Sequence, residues 1–282
     1  MSIGEHLDEL RRRLTRGILA VAIAFIGGYF FYEQTTEVVM RPMRQALSWL
    51  DQDQVDKYET LLAEDPSLPR STYFESDDPA ESTLHPDLTV ADRPQAIGFA
   101  ESMWFTIKVT MIFALFVGAP VLLWQMWQFI AAGLYSHERK VVLSYFPTSV
   151  GLFLAGVAFG FFILVPYGFY FLAGTMAPEK VAFAPRLSEY LSLMLSMTLA
   201  LGAIFQMPLL MHVLVRLDLV QREVFSKYRA HFIVGAFVIG ALLTPPDPFT
   251  QMLLAGPMIA LFEVGLLSTR WIRHAQPEEE VA

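Results

Sequence analysis

The sequence predicts an all-α, polytopic membrane protein with six transmembrane helices, of which the fifth and sixth are short. Hydrophobic residues make up 54% of the 282-residue chain, charged residues make up 17%, and the mean hydropathy is +0.43. A soluble domain of this size has about a quarter charged residues. The apolar residues also fall into blocks of roughly 20, which is the length that crosses a bilayer.

The acidic residues are concentrated in one segment. Residues 33–101 hold fifteen of the 28 Asp and Glu residues but only five of the 20 Lys and Arg residues, so the segment has a net charge of −10. The rest of the chain has a net charge of +2. This distribution predicts an acidic loop on one side of the membrane. It argues against nucleic-acid binding, which requires a basic surface.

The first part of the chain, residues 1–32, is predicted to be an amphipathic helix followed by the first span. Leu7, Leu10 and Leu14 recur at the spacing of one helix face. Two pairs at the i, i+4 spacing, Asp8–Arg12 and Glu9–Arg13, favour the same helix. The apolar block that follows, residues 17–32, is short for a span and is expected to be an uncleaved anchor.

The remaining chain is divided into three predicted parts. Residues 33–101 form a long periplasmic loop, because six prolines leave no useful apolar period except over 38–50, where a short interfacial helix is expected. Residues 102–272 contain five further spans. Residues 273–282 form a polar cytoplasmic tail.

The second, third and fourth spans are predicted at residues 103–129, 142–172 and 190–215. Trp104 and Trp127, near the two ends of the second span, are typical of the aromatic residues that lie at membrane interfaces.

The third span carries two kinds of helix-packing signal. Pro147 and Pro166 are expected to interrupt it. Gly156 and Gly160 have the spacing that lets a second helix approach closely.

The last two spans are predicted at residues 231–244 and 249–267, joined by a proline-rich turn. The fifth offers about fourteen residues, which extend ~21 Å against a hydrocarbon core of ~30 Å. A difference of this size is expected to thin the bilayer locally.

Basic residues predict that both termini are cytoplasmic. Twelve Lys or Arg residues fall in the N-terminal segment, the loops after spans two and four, and the C-terminal tail. The opposite side has seven, and five of these lie in the acidic segment, where long loops weaken the positive-inside rule.

Catalytic and metal-binding signatures are poor. His137 and Glu138 begin like the metalloprotease H-E-x-x-H motif, but Val141 occupies the position of the second histidine. The chain has no cysteine, so thiolate metal sites and cysteine nucleophiles are excluded. The sequence therefore predicts neither an enzyme nor a metal or cofactor site.

Polar residues within or beside the apolar spans are the candidates for function. They are Gln206, Thr244, Asp247, Gln251 and Glu263. Those beside the proline-rich turn either bind a partner helix or cap their own helices. Gln206 and Glu263 either have a functional role or make ordinary helix–helix contacts, which average about 0.6 kcal/mol for a hydrogen bond.

Four stretches carry recognisable motifs in a fixed order. They are HLDELRRRL at 6–14, WQFIAAGLYSHERK at 127–140, FQMP at 205–208 and LTPPDPFTQ at 243–251. Together they resemble the TatC family, the multi-span receptor of twin-arginine protein translocation. The similarity covers residues 3–48 and 99–272.

Two positions depart from the family pattern. Ala132 stands before Gly133 where many members have proline, and Gln206 stands where many have glutamate. The second difference puts in doubt any mechanism that needs a titrating carboxylate in the fourth span.

The resemblance implies a multi-pass protein of the bacterial inner membrane that binds twin-arginine signal peptides and exports folded proteins. It also implies use of the proton-motive force and a hetero-oligomer with the single-span subunits TatA and TatB. Thr244 and Gln251 would then be a docking site for one of these partners.

The resemblance also assigns the signal-binding residues. Glu9 and Glu138 would each bind one signal arginine, because guanidinium and carboxylate form a two-pronged hydrogen-bonded pair. Arg11 would orient Glu9, and Phe129 and Arg139 would lie at the same surface. Without the resemblance, a solvated, salt-bridged helix and loop would explain these carboxylates.

The competing hypotheses are a six-helix secondary transporter of a small solute and a structural membrane scaffold. A transporter would predict internal repeats and broken helices that meet at the midplane. The two halves of the chain show no convincing repeat, whereas composition alone does not exclude a scaffold.

Overall fold

The computed structural model describes residues 3–65, 67, 69–74, 84, 99–174, 186–244, 247–270 and 272. Within these ranges the chain forms eleven α-helices, one π-helical segment, a short 3-10 turn and an isolated bridge between Phe74 and Leu84. The helices are α1 (Ile3–Phe30), α2 (Tyr32–Glu64), α3 (Phe99–Ala132), α4 (Ser136–Ser144), α5 (Phe146–Phe159), α6 (Val165–Gly174), α7 (Leu187–Ile204), α8 (Met207–Arg216), α9 (Arg222–Lys227), α10 (Arg229–Leu243) and α11 (Pro248–Thr269).

Five stretches of the described chain are long and apolar enough to cross a membrane, and α10 is a shorter apolar helix. The five are Gly4–Phe30, Ala100–Ala132, Glu138–Gly174, Leu187–Arg216 and Pro248–Thr269. This all-helical arrangement confirms a polytopic membrane fold. The predicted tail and the residues Pro245 and Pro246 of the predicted turn lie outside the described residues.

The first helix, α1, is continuous over 28 residues, so the predicted amphipathic segment and first span are one element of ~42 Å. Antiparallel to it, α3 packs closely because glycines face the neighbouring helix. A Cβ atom on Gly17 would lie 2.8 Å from Leu122 Cδ2, and one on Gly118 would lie 3.0 Å from Val21 Cγ2. These glycines fix the separation of the two helices.

The second helix corrects the prediction of a mostly irregular acidic segment with a short helix at 38–50. It runs for 33 residues and contains Pro42. A buried stripe that includes Val39, Met43 and Leu50 packs in the core against α3 and α6. The helix continues past that stripe as a polar helix, which an apolar period does not detect.

Three contacts hold α2 against the membrane helices. Trp49 packs against Tyr167 with ring centroids 4.9 Å apart, and the Tyr170 hydroxyl donates to Asp53. The Tyr190 hydroxyl of α7 donates to the Val39 carbonyl at 2.7 Å.

The acidic segment also has a small core beyond α2. Tyr58, Phe74 and Leu84 are buried together. The Arg70 guanidinium lies 4.1 Å from the centre of the Phe74 ring and donates to Glu59 at 2.9 Å. Part of the predicted loop is therefore packed structure.

The third predicted span consists of α5, the π-helical segment Gly160–Leu164 and α6, preceded by α4. Pro166 has no N–H for the carbonyl four residues earlier, and the wider π turn lies directly before it. A Cβ on Gly156 would lie 2.6 Å from the Leu201 carbonyl oxygen, and one on Gly160 would lie 3.1 Å from Thr198 Cα. The predicted close glycine contact is confirmed, and its partner is α7.

Tryptophans at the ends of the second span have different environments. Trp104 is 54% exposed, as expected at an interface, whereas Trp127 is fully buried. Trp127 packs with Ala131, Val142 and Val213. Residues of α4 and α8 therefore cover Trp127 at the end of α3, and its interfacial depth stays a prediction.

The last two helices differ in length, which corrects the prediction that both are short. The fifth apolar helix, α10, has 15 residues and extends ~22 Å, but α11 has 22 residues and extends ~33 Å. Pro248 begins α11 at a position where its missing N–H costs nothing, and Pro257 is accommodated within the helix.

Candidate functional site

The N-terminal end of α1 and the C-terminal end of α3 meet through aromatic contact. The His6 and Phe129 rings have centroids 4.6 Å apart and an interplanar angle of 30°. A Cβ on Gly133, just after α3, would lie 3.9 Å from His6 Cε1. The predicted residue Phe129 is thus placed beside the helix that carries Glu9.

Glu9 is held by arginines of its own helix. Arg13 Nε donates to Glu9 Oε1 at 2.6 Å, Arg12 lies 3.8 Å away, and the Glu9 side chain is 14% exposed. The Glu9 carboxylate is therefore flanked by two guanidinium groups of the same helix.

The prediction that Arg11 orients Glu9 is wrong. Residues two apart on a helix do not face each other, whereas residues three or four apart do. Arg12 and Arg13 satisfy that spacing and pair with Glu9, and Arg11 is exposed. The i, i+4 pairing of Glu9 with Arg13, predicted from the spacing, is confirmed.

Glu138 lies in the first turn of α4, on the segment that follows α3. Its Oε2 accepts a hydrogen bond from the Tyr135 backbone N–H at 3.1 Å, which caps the helix start. Arg139, the next residue, is exposed. Glu9 and Glu138 thus belong to two segments that both pack against the same end of α3.

Gln206 occupies the break between α7 and α8. Ser149 Oγ donates to Gln206 Oε1 at 2.6 Å, and Gln206 Nε2 donates to the Ser149 carbonyl at 3.0 Å. Both residues are buried. The break is there because Pro208 cannot donate to the Ile204 carbonyl. The amide of Gln206 therefore joins the start of α8 to α5.

Thr244, Asp247 and Gln251 bond to their own two helices. Thr244 Oγ1 donates to the Gly240 carbonyl at 3.0 Å, and Asp247 caps α11 by accepting from the Thr250 N–H at 2.7 Å. Gln251 Nε2 donates to the Phe237 carbonyl of α10 at 2.8 Å. These contacts favour the alternative that the three residues cap and join their own helices.

Glu263 forms an ion pair between the last two helices. Arg229 Nε donates to Glu263 Oε1 at 2.9 Å, and a second guanidinium nitrogen donates to the other carboxylate oxygen. This two-pronged geometry is the strong form of the pair. It joins the start of α10 to the second half of α11.

The described residues contain no group of three or more His, Asp or Glu side chains that could hold a metal ion. The partners that sequence reasoning missed are Ser149 and Arg229. Both lie far along the chain from the residues they bind, so no local spacing predicts them.

Comparison with known proteins decides the family. A family model described as "Sec-independent protein translocase protein (TatC)" matches residues 5–257. The chain belongs to the TatC family. TatC of Escherichia coli (strain K12) is 34% identical over 94% of this chain and 87% of its own length. TatC of Halothiobacillus neapolitanus is 35% identical over 96% of this chain, which spans 63% of that relative.

A solved structure agrees with this assignment. The crystal structure of the twin-arginine translocase receptor TatC is 27% identical, has a TM-score of 0.70, and is matched over 94% of this chain and 98% of that chain. As a TatC-family member, the chain is a receptor subunit of the Sec-independent translocase that acts with other Tat subunits, and not an enzyme. The alternative of a small-solute transporter is not supported.

Proposed function

We propose that this TatC-family chain binds the paired arginines of signal peptides at one surface, hereafter the signal surface. It consists of Glu9, Arg11, Phe129, Glu138 and Arg139. The supporting observation is that two carboxylates lie on separate segments that pack against the same end of α3. Each carboxylate binds one signal arginine, because guanidinium matches carboxylate in a two-pronged pair that lysine does not form.

The pairing of Glu9 with Arg13 is compatible with this role. An ionised carboxylate has about four acceptor positions, so it accepts a second guanidinium while Arg13 keeps its hydrogen bond. Arg12, at 3.8 Å, is the weaker of the two contacts. Arg13 therefore takes the orienting role first assigned to Arg11, and Arg11 remains an exposed residue at the rim of the surface.

The apolar part of the signal requires an apolar surface at membrane depth. A groove of about 660 Å³ lies between the first turns of α2, the middle of α3 and α7, and the second half of α5. Its lining includes Phe116, Val157 and Phe162. We propose that the apolar region of the signal peptide binds in this groove of the membrane bundle. We also propose that the proton-motive force drives the export of folded cargo.

The proposed topology has six spans, with both termini in the cytoplasm of a bacterium and the protein in its inner membrane. The spans are α1, α3, α4 to α6, α7 with α8, α10 and α11. The division proposed from the sequence is 1–32, 33–101, 102–272 and 273–282. The distribution of Lys and Arg supports the orientation, and the length and apolar character of α10 support its inclusion despite local thinning of the bilayer.

Photocrosslinking tests the signal surface. A photoreactive residue at position 9 or 138 should crosslink to a precursor whose signal peptide has paired arginines. The same precursor with paired lysines should crosslink weakly, because the two-pronged bonds are lost. Crosslinks of equal yield with both precursors, or with neither, would overturn the proposed site. A photoreactive residue at exposed Asp8, on another face of α1, is the matched control.

We further propose that TatA or TatB docks on α10 and α11 near Thr244, Asp247 and Gln251. Thr244 donates and Asp247 accepts within the protein, and Gln251 donates through its Nε2. Docking therefore rests on the side-chain carbonyl oxygen of Gln251 and on the neighbouring apolar surface. Leu242 is 79% exposed and Met252 is also exposed, on the two sides of the turn. A polar group near the end of a partner helix would donate to Gln251.

Cysteine crosslinking tests this docking site, and the native chain has no cysteine to interfere. Leu242→Cys and Met252→Cys should form disulfides with cysteines near one end of a TatA or TatB helix, at positions spaced by helical turns. Val234→Cys is the matched control, because Val234 is 64% exposed but lies nearer the other end of α10 and should not crosslink to the same positions. If disulfides form only from cysteines placed in the first three spans, TatA or TatB docks there and not on α10 and α11.

A further inference from the structure

A polar cleft lies between α3 and α7, away from the signal surface and from the docking site. It has a volume of about 600 Å³ and is lined by Glu101, Trp104, Lys108, Arg186 and Ser188. Exposed Trp104 stands at the start of the apolar part of α3, where an indole is expected at headgroup level. The cleft therefore opens towards the headgroup layer on the α2 side of the membrane.

Lys108 is the cation that lies deepest in the cleft. Its Nζ donates to the Ser188 carbonyl at 2.8 Å and to Ser192 Oγ at 2.6 Å. An ammonium group has three donors, so one is not engaged by the described residues. Side chains on a helix tilt towards its N-terminus, and that direction takes the Lys108 ammonium towards the headgroup layer. Its third donor is available to an anionic group there.

The wall of the cleft also holds a carboxylate. Glu101 accepts from Ser188 Oγ at 3.1 Å and from the Ser188 N–H at 3.4 Å. At the rim, Arg186 is largely exposed and lies 3.7 Å from Glu189. The lining has two cations and one carboxylate, and Glu189, just outside it, offsets the charge of Arg186. The sum of the four charges is zero, so the cleft does not select for a net anionic ligand. Its cationic and anionic side chains lie at different places in the same cleft, as a zwitterionic ligand requires.

We propose that this cleft binds the headgroup of phosphatidylethanolamine. Lys108 and Arg186 bind the phosphate, Glu101 accepts from the ammonium, and the acyl chains lie along α3 and α7 below Trp104. A primary ammonium donates hydrogen bonds to a carboxylate, whereas a quaternary choline has no N–H and an anionic headgroup lacks the cation. The lipid would join α3 and α7 at one membrane surface.

Native mass spectrometry of the purified full chain tests this site with three lipids of the same acyl chains. Phosphatidylethanolamine should be retained about tenfold more than phosphatidylcholine or phosphatidylglycerol, the size of one charge-assisted hydrogen bond. Soluble phosphoethanolamine at the same concentration should not displace it. Equal retention of the three lipids, or displacement by the soluble compound, would overturn the proposal.

Substitutions in the cleft distinguish a loss of lipid recognition from a loss of folding. Arg186→Gln and Glu101→Gln should each lower phosphatidylethanolamine retention several-fold, and Glu101→Gln should raise phosphatidylglycerol retention relative to it, because the cleft becomes positive. Arg41→Gln, an exposed cation of α2, is the matched control and should change neither. A Glu101→Gln protein with unchanged selectivity would also overturn the site, because a purely structural role of Glu101 does not alter lipid preference.

Discussion

Replacing Glu9 and Glu138 together by glutamine should abolish binding of twin-arginine precursors while leaving the protein inserted and folded. Each single substitution should weaken binding roughly tenfold to a hundredfold, because one charge-assisted pair is lost. Glutamine is preferred to alanine at Glu138, because its carbonyl oxygen keeps the hydrogen bond from the Tyr135 N–H that caps α4. Affinity is measured on the detergent-solubilised protein with a fluorescent signal peptide.

The control for this experiment lies on the same helix. Asp8 is exposed one residue before Glu9, so Asp8→Asn removes the same charge from a different face of α1. Its affinity should stay close to that of the wild type. If the double variant binds as tightly as the wild type, the signal arginines are recognised at another surface.

The second large effect is expected at the buried pair of Gln206 and Ser149. Gln206→Leu leaves the Ser149 hydroxyl without its acceptor in the membrane interior and should cost about 1–3 kcal/mol of stability and impair transport. Ser149→Ala combined with Gln206→Leu should recover part of that loss, because no unpaired hydroxyl then remains. Unfolding in detergent gives the coupling between the two positions.

Replacing Gln206 by glutamate gives a second test, because the stability of this variant should depend on pH. A protonated carboxyl has the same donor and acceptor as the amide, whereas a carboxylate has no donor and is buried. Gln206→Glu should therefore retain transport and be near wild-type stability at about pH 5, and it should lose stability as the pH rises to about 8. Equal transport activity for the wild type and Gln206→Leu would show that the amide only fills space.

The sequence predicts the membrane helices well because lipid leaves few alternatives. Backbone groups in hydrocarbon must be paired within the segment, so a long apolar block is a helix. The glycine contact was also predictable, since Gly156 and Gly160 have the spacing of one helix face. The spacing of these glycines does not identify α7 as the helix they contact, because that depends on the tertiary arrangement.

The length of α2 was mispredicted because proline was given too much weight. Pro42 lies inside α2, and the helix continues past it. Packing supplies the compensation in α2, where Met43 and Leu50 are buried on one face. Its polar second half has no apolar stripe, and hydrophobic periodicity detects only helices that bury a face.

The candidate site was predictable only where its contacts are local. The pairing of Glu9 with Arg13 follows from a spacing of four residues. The partners of Gln206 and Glu263 are 57 and 34 residues away, at Ser149 and Arg229, and their positions depend on how α5, α8, α10 and α11 pack. A sequence identifies a polar residue at membrane depth, but it does not identify the group that forms a hydrogen bond or an ion pair with that residue.

The close packing of α1 against α3 has a consequence for access. The residues on the rest of the α1 surface, including Ile18, Ile23 and Ile26, are exposed along the length of the span. In a bilayer they contact acyl chains, so a segment that arrives beside α1 displaces lipid and no protein side chain. A segment that reaches this side of the chain therefore approaches within the membrane plane, without displacing another helix of the same chain.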